Sequence, residues 1–269
     1  MTILETGPSI LARSDHDGIA VLTLDNPARR NALSEAMLSA LAESLAAIAV
    51  DRAVRVVVLA GTGPVFSAGH DLKELASHRS DADRGRAYFT AIMTRCAAVM
   101  QAIVALPQPV IAQVQGVATA AGCQLVASCD LALAAATASF STPGVNIGLF
   151  CSTPMVALSR NVAAKHAMEM LLTGDMISAE AAVRIGLVNR SVDPAGLEAA
   201  TMELAHRIAA KSAHVVKIGK KAFYRQSEMT LADAYDYAAE VMVENMLARD
   251  AEEGIAAFIE KRSARWENR

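Results

Sequence analysis

The chain has 269 residues, of which 53% are hydrophobic, 4% aromatic and 20% charged, with a formal net charge of −3. That length suits a single α/β domain with a core of Ala, Val, Leu, Ile and Met. The balance excludes the strongly basic footprint of a nucleic-acid binder, so no nucleic-acid partner is expected.

Ile10–Arg13 and Ile19–Leu24 read as strands joined through Asp17-Gly18, a pair with hairpin chemistry. Asn26-Pro27 breaks the second strand. Ser34 then serves as an N-cap, and Met37, Leu38, Leu41, Leu45 and Ile48 recur at helical spacing. Val54–Leu59 is a continuous apolar run, as expected of a strand buried on both faces. Residues 61–64 (GTGP) form a loop. Arg86–Leu106 reads as a long helix closed by Pro107 and Pro109. Val110–Val114 is another buried strand. Gly116–Gly122 is a run of small residues opening a short helix that ends near Ser128, and Leu131–Ala134 returns as a strand. Strands alternating with helices argue for parallel βαβ units.

From Thr153 onward the pattern is helical: Met155–Arg160, Lys165–Leu172, Ala179–Ile185, Leu197–Lys211, Val215–Arg225, Leu231–Arg249 and Glu252–Lys261. An α/β core followed by helices with apolar faces is expected, and such faces point to an oligomer. Cys96, Cys123, Cys129 and Cys151 contain no CxxC pair, so free buried thiols and no metal site are expected. Met1–Asp17 has no basic stretch leading into an apolar segment. No uncharged apolar run reaches the roughly 18 residues of a membrane span. A cytoplasmic protein with no membrane partner is expected.

Two segments have the composition of a reactive site. Residues 66–74 (FSAGHDLKE) follow the strand Val54–Leu59, and residues 115–124 (QGVATAAGCQ) follow Val110–Val114. Both set small residues between a parallel strand and a helix N-terminus, where α/β sheets bind ligands. Unpaired N–H groups and the positive dipole end lie there. Two such ends meeting at one point make an oxyanion site. Taken singly, either loop is read equally well as small residues allowing close packing.

At these loops the chain resembles the crotonase (enoyl-CoA hydratase/isomerase) superfamily. Five ordered segments carry the resemblance: residues 26–33 (NPARRNAL), 66–74, 109–130 (PVIAQVQGVATAAGCQLVASCD), 140–148 (FSTPGVNIG) and 172–188 (LTGDMISAEAAVRIGLV). Within the superfamily, residues 142–154 (TPGVNIGLFCSTP) are most similar to the enoyl-CoA hydratase domain-containing protein 3 group. The resemblance implies an α/β fold, the ClpP/crotonase-like spiral of ββα units with a helical C-terminal trimerisation region. Residues 1–200 would be the acyl-CoA-binding core and 201–269 the oligomerising helices of a homotrimer or a dimer of trimers.

It also implies an acyl-CoA thioester as ligand, coenzyme A being part of the substrate and no separate cofactor needed. The oxyanion donors would be the backbone N–H groups of His70 and Ala121. Coenzyme A would lie along Ala28, Arg29 and Arg30, with its adenine near Ala68, His70, Asp71 and Leu72. Phe258 and Lys261 would complete the site from a neighbouring subunit. Surface charge is an equal reading for the two arginines.

The hydratases of the superfamily use two glutamates to flank a water, one as base and one as acid. Those positions fall on Gln124 and Gly144, and the acid some members carry eight residues further on falls on Ser152. Gln124 exchanges no proton and Gly144 has no side chain. The resemblance therefore implies enoyl-CoA hydratase as the nominal class, a lyase of fatty-acid metabolism, with low hydratase activity. Isomerisation, thioester hydrolysis, decarboxylation or acyl-CoA binding without chemistry are the alternatives. Replacement acid–base groups would come from His78, Asp81 or Asp83, each equally read as a solvated charge, or from Cys151, otherwise an inert buried thiol. A Clp-like serine protease would need Ser67 or Ser128 in a Ser–His–Asp set, and neither has that context. No GxGxxG supports a dinucleotide-binding domain.

Overall fold

Residues 10–269 are described by a computed structural model. Most of the segment Met1–Asp17, read above for a secretory signal, lies outside them.

Strands β1 (Leu11–His16) and β2 (Ile19–Leu24) pair antiparallel. Asp17 and Gly18 turn the hairpin at φ 50° and 78°, the left-handed pair that matches strand twist. Ser34 caps α1 (Glu35–Val50), its hydroxyl accepting the Met37 N–H at 3.2 Å, and the five predicted apolar residues are all buried.

Three ββα units follow. The first is β3 (Val56–Gly61), β4 (Val65–Ser67), α2 (Leu72–Ser77) and α3 (Arg86–Ala105). The second is β5 (Val110–Val114), β6 (Val117–Thr119) and α4 (Ala121–Ser128). The third is β7 (Leu131–Ala135) and β8 (Ser139–Ser141), leading through a 3-10 turn at Pro143–Ile147 to α5 (Pro154–Asn161). With β10 (Arg190–Val192), the long strands build a six-stranded sheet in the order β1-β2-β3-β5-β7-β10, parallel from β2 onward. With β9 (Ile177–Ser178), the short strands stack as a second sheet, β4-β6-β8-β9, parallel up to β8. Phe66, Ala118 and Phe140, one from each short strand, are fully buried and tie the small sheet to the core. This is the spiral that the resemblance implies.

The sequence reading needs three corrections. It placed residues 66–67 and 117–119 in loops and gave residues 139–141 no element, whereas they belong to strands β4, β6 and β8. A three-residue strand is too short to show alternation. It made the chain after Thr153 almost all helical, with no strand. Here α6 (Ala164–Thr173) is followed by β9 (Ile177–Ser178), α7 (Ala179–Arg184) and β10 (Arg190–Val192), and β10 closes the edge of the main sheet beside β7. It also started the buried strand at Val54. The Val54 N–H instead donates to Asp51 O at 3.3 Å, and the strand begins at Val56.

Helix α3 has the length and apolarity of a membrane span, but its face of Ile92, Cys96, Val99, Met100 and Ile103 is buried, packed along α1 and α4. Helix α8 (Leu197–Ala209) covers β3, β5 and β7. Helices α9 (Ala213–Gln226), α10 (Leu231–Met246) and α11 (Arg249–Ile259) then pack on one another. Lys220 on α9 donates to Ile103 O and Gln108 O, each at 3.0 Å, and to Asp130 Oδ2 at 2.7 Å. Tyr224 donates to Asp130 Oδ1 at 2.9 Å. These bonds fasten the C-terminal helices to the core. Phe223, Leu231, Tyr235, Met242 and Leu247 remain exposed on α9, α10 and the turn that follows.

Candidate active site

The loops after β4 and β6 meet. Gly69 (φ 83°) lies so close to the second loop that a Cβ there would stand 3.0 Å from Ala120 Cβ, from Ala121 N and from Thr119 O. At Gly122 a Cβ would overlap the Ser67 carbonyl. Glycine is therefore required at both positions by close backbone approach, which is the packing role the small residues were expected to share with function. The approach sets the residue after Gly69, His70, beside Ala121, the first residue of α4. Neither the His70 nor the Ala121 backbone N–H has an acceptor among the described residues.

Side chains around the two loops hold this geometry. Asn31 (φ 49°), fully buried, accepts the Asn26 N–H at 2.8 Å and donates to Thr62 O at 2.9 Å and Val65 O at 2.8 Å. Asparagine tolerates this left-handed backbone better than most residues. Ser67 Oγ donates to Asn31 O at 2.9 Å and accepts the Gly69 N–H at 3.3 Å. Thr119 Oγ1 donates to Ala68 O at 3.3 Å. The Leu33 N–H donates to Gly69 O at 2.8 Å, and the Ala68 N–H to Arg30 O at 3.1 Å. Ala120 sits at φ 51°, ψ −121°, a region that costs a non-glycine residue about 1–3 kcal/mol. Its N–H donates to Ser141 O and its carbonyl accepts the Gln124 N–H, both at 3.0 Å. The strain turns the chain so that Ala121 opens the helix.

The residues singled out from sequence fall into three groups. Ala68, His70, Asp71, Leu72, Ala121 and Gln124 gather at the junction. Asp71 is buried and caps α2 by accepting the Lys73 and Glu74 N–H groups at 3.0 and 3.3 Å. It also pairs with Arg29. Burial opposes these bonds, yet together they hold its carboxyl below the usual range. Ala28, Arg29 and Arg30 line the adjoining 3-10 turn, all exposed, with Arg29 held by Asp71. Phe258 and Lys261, at the end of α11, are exposed, and α11 packs on α9 and α10. Asn31, Thr119 and Ala120 were not among the predicted site residues. Their signal was the position of an asparagine and a threonine beside the small-residue loops.

Gln124 is 4% exposed and its Oε1 has no hydrogen-bond partner among the described residues. Gly144 is buried, and a Cβ there would lie 2.9 Å from Cys151 Sγ and 3.0 Å from Leu149 O. Cys151 thus fills the space beside Gly144, and a glutamate at 144 requires residues 149–151 to move. All four cysteines are unbridged and buried. Burial pushes Cys123 up to about 12 and raises Cys151 also, against a Gly144 N–H that favours its thiolate. Both are protonated at neutral pH, as an inert thiol should be. His78 Nδ1 lies 2.8 Å from Asp81 Oδ2 and its ring stacks on Tyr88 at 3.6 Å, beyond α2 on the exposed side. Asp83 caps α3 through the Gly85 and Ala87 N–H groups. Ser67 and Ser128 donate to backbone carbonyls, so neither is a poised nucleophile.

The enoyl-CoA hydratase/isomerase family profile matches residues 14–269. The chain belongs to this family. It is 48% identical to the mouse protein named enoyl-CoA hydratase domain-containing protein 3, mitochondrial, over 97% of this chain and 86% of that protein. A crystal structure of an enoyl-CoA hydratase from Mycobacterium smegmatis superposes with a TM-score of 0.91 at 50% identity, covering 96% of this chain and 98% of the other. Human enoyl-CoA hydratase domain-containing protein 3 superposes with the same TM-score at 47% identity, over 96% and 100% of the two chains. Within the crotonase superfamily the chain thus sides with the domain-containing protein 3 group, as residues 142–154 led one to expect.

Proposed function

We propose that this protein binds acyl-CoA thioesters and stabilises the thioester oxyanion with the backbone N–H groups of His70 and Ala121. The observation that carries this reading is the contact of Gly69 with Ala120 and Ala121, which brings two acceptor-free N–H groups together. Attack at Cβ of an enoyl thioester, or loss of an α-proton, moves negative charge onto the thioester oxygen. Fixed donors stabilise that charge more than they stabilise the substrate. Each donor contributes about 3–4 kcal/mol.

Coenzyme A runs along Ala28, Arg29 and Arg30 toward Asp71 and Leu72 in this reading. A trimer or dimer of trimers is supported by the exposed apolar residues of α9 and α10 and brings Phe258 and Lys261 to a neighbour's site. The nominal reaction is enoyl-CoA hydration, and it is slow, because the two carboxylate positions are held by Gln124 and Gly144 and the space beside the latter by Cys151. Loss of enoyl-thioester absorbance on mixing with crotonyl-CoA tests this. Turnover far below the usual enzyme range of about 1–1,000 per second is expected. Turnover within that range would overturn the expectation of low hydratase activity.

A further inference from the structure

The junction of the two loops holds the His70 imidazole. Both ring nitrogens of His70 are buried without a hydrogen-bond partner among the described residues. Buried polar atoms in folded proteins are ordinarily paired, and the exceptions concentrate where a group has chemical work. Burial lowers the His70 pKa and only the Leu33 backbone opposes it, without forming a well-aligned hydrogen bond to the ring. The ring is therefore neutral at neutral pH and able to accept a proton.

The other titratable groups around it are committed elsewhere. The Asp71 carboxylate is taken by its helix cap and by Arg29. Glu74 on α2 accepts the Glu35 N–H at 3.0 Å. Across the junction, Cys123 and Cys151 are protonated thiols. Gln124 and Gly144 transfer no proton. No charged side chain shifts the His70 ring in either direction.

We propose that the His70 imidazole is the acid–base group of this site, acting on the α-carbon of the thioester. The proposal rests on the acyl-CoA reading above. His70 then serves twice, its backbone N–H on the thioester oxygen and its ring on the adjacent carbon. The Cα–H bond breaks and its proton passes to a free ring nitrogen. The electron pair of that bond forms a double bond to the carbonyl carbon, and the carbonyl π pair moves onto the oxygen held by His70 and Ala121. Return of the proton from the imidazolium restores both partners, so no oxidant or co-reactant is needed. A single histidine in place of two carboxylates favours enolisation and double-bond migration over hydration, which also needs a placed water.

The test is exchange of the α-protons of butyryl-CoA in D2O, followed by mass spectrometry with the full-length protein. Alanine at position 70 keeps the backbone N–H and removes only the ring. His70→Ala and His70→Gln are each expected to lose exchange by about a hundredfold or more, the scale of general acid–base catalysis, while calorimetric affinity for butyryl-CoA is retained. Added imidazole restores part of the exchange to His70→Ala, which a purely structural role does not predict. The wild-type rate falls on acidification as the ring takes up a proton. Exchange undiminished in His70→Ala, or butyryl-CoA bound by the wild type without exchange, overturns the proposal. Failure of the wild type to bind butyryl-CoA overturns the acyl-CoA reading itself, and this proposal with it.

Discussion

Gly122→Ala is expected to abolish turnover and to lower the melting temperature sharply. The added Cβ overlaps the Ser67 carbonyl, and that obstacle is backbone at the end of β4, which has no rotamer to change. Overpacking a core commonly costs about 1–3 kcal/mol, and a clash with backbone belongs at the upper end. The only relief is for α4 to withdraw from β4. That separates the Ala121 N–H from the His70 N–H, and loss of one oxyanion donor costs about 3–4 kcal/mol of transition-state stabilisation. Gly219→Ala is the control. It lies within α9 with nothing within 4 Å of the new methyl, so a gain of about 0.5–1 kcal/mol is expected from helix propensity. Thermal melts and α-proton exchange of butyryl-CoA in D2O with both variants check this. A Gly122→Ala protein with wild-type stability and activity would show that the loops are not pressed together as described.

The second large effect is expected at the junction between core and C-terminal helices. Lys220→Met leaves the Asp130 carboxylate, mostly buried, without its cation, and frees the Ile103 and Gln108 carbonyls. Removing one partner of a buried ion pair costs about 3–5 kcal/mol, because the remaining charge stays desolvated. Burial lowers the Lys220 pKa and the Asp130 charge works against that shift, so the lysine is retained here for its partners. Tyr224→Phe removes one hydrogen bond to the same carboxylate and is expected to cost about 1 kcal/mol. Urea denaturation of the two variants separates these values. Equal, small losses would mean that Asp130 is served by water in place of Lys220.

The long elements were legible because their patterns outlast noise. Met37 to Ile48 spans several turns, and Val110–Val114 is an apolar run, interrupted only by Gln113, between Pro109 and Gly116. The small sheet was not legible. Residues 65–67, 117–119 and 139–141 carry only one or two buried residues each, and they become strands only by stacking on one another. β10 was missed for the same reason, its pairing with β7 being invisible locally. At the site, the two small-residue loops at strand-to-helix junctions were readable from the sequence, and the resemblance implied His70 and Ala121 as the two N–H donors. The supporting bonds of Asn31, Ser67 and Thr119 were not, since they join residues 34, 36 and 51 positions apart. Nor does the sequence show that Cys151 occupies the space a glutamate at 144 would need. That contact disfavours Gly144→Glu as a way of restoring hydration, whereas Gln124→Glu adds no atoms.

The central claim is that His70 and Ala121 N–H groups polarise a bound thioester carbonyl. Raman difference spectroscopy of crotonyl-CoA, with and without 13C at the thioester carbon, reads that bond directly. On binding, the carbonyl stretch is expected to move to lower frequency, because two hydrogen bonds draw electron density onto the oxygen. A bound thioester whose carbonyl keeps its solution frequency would contradict the account.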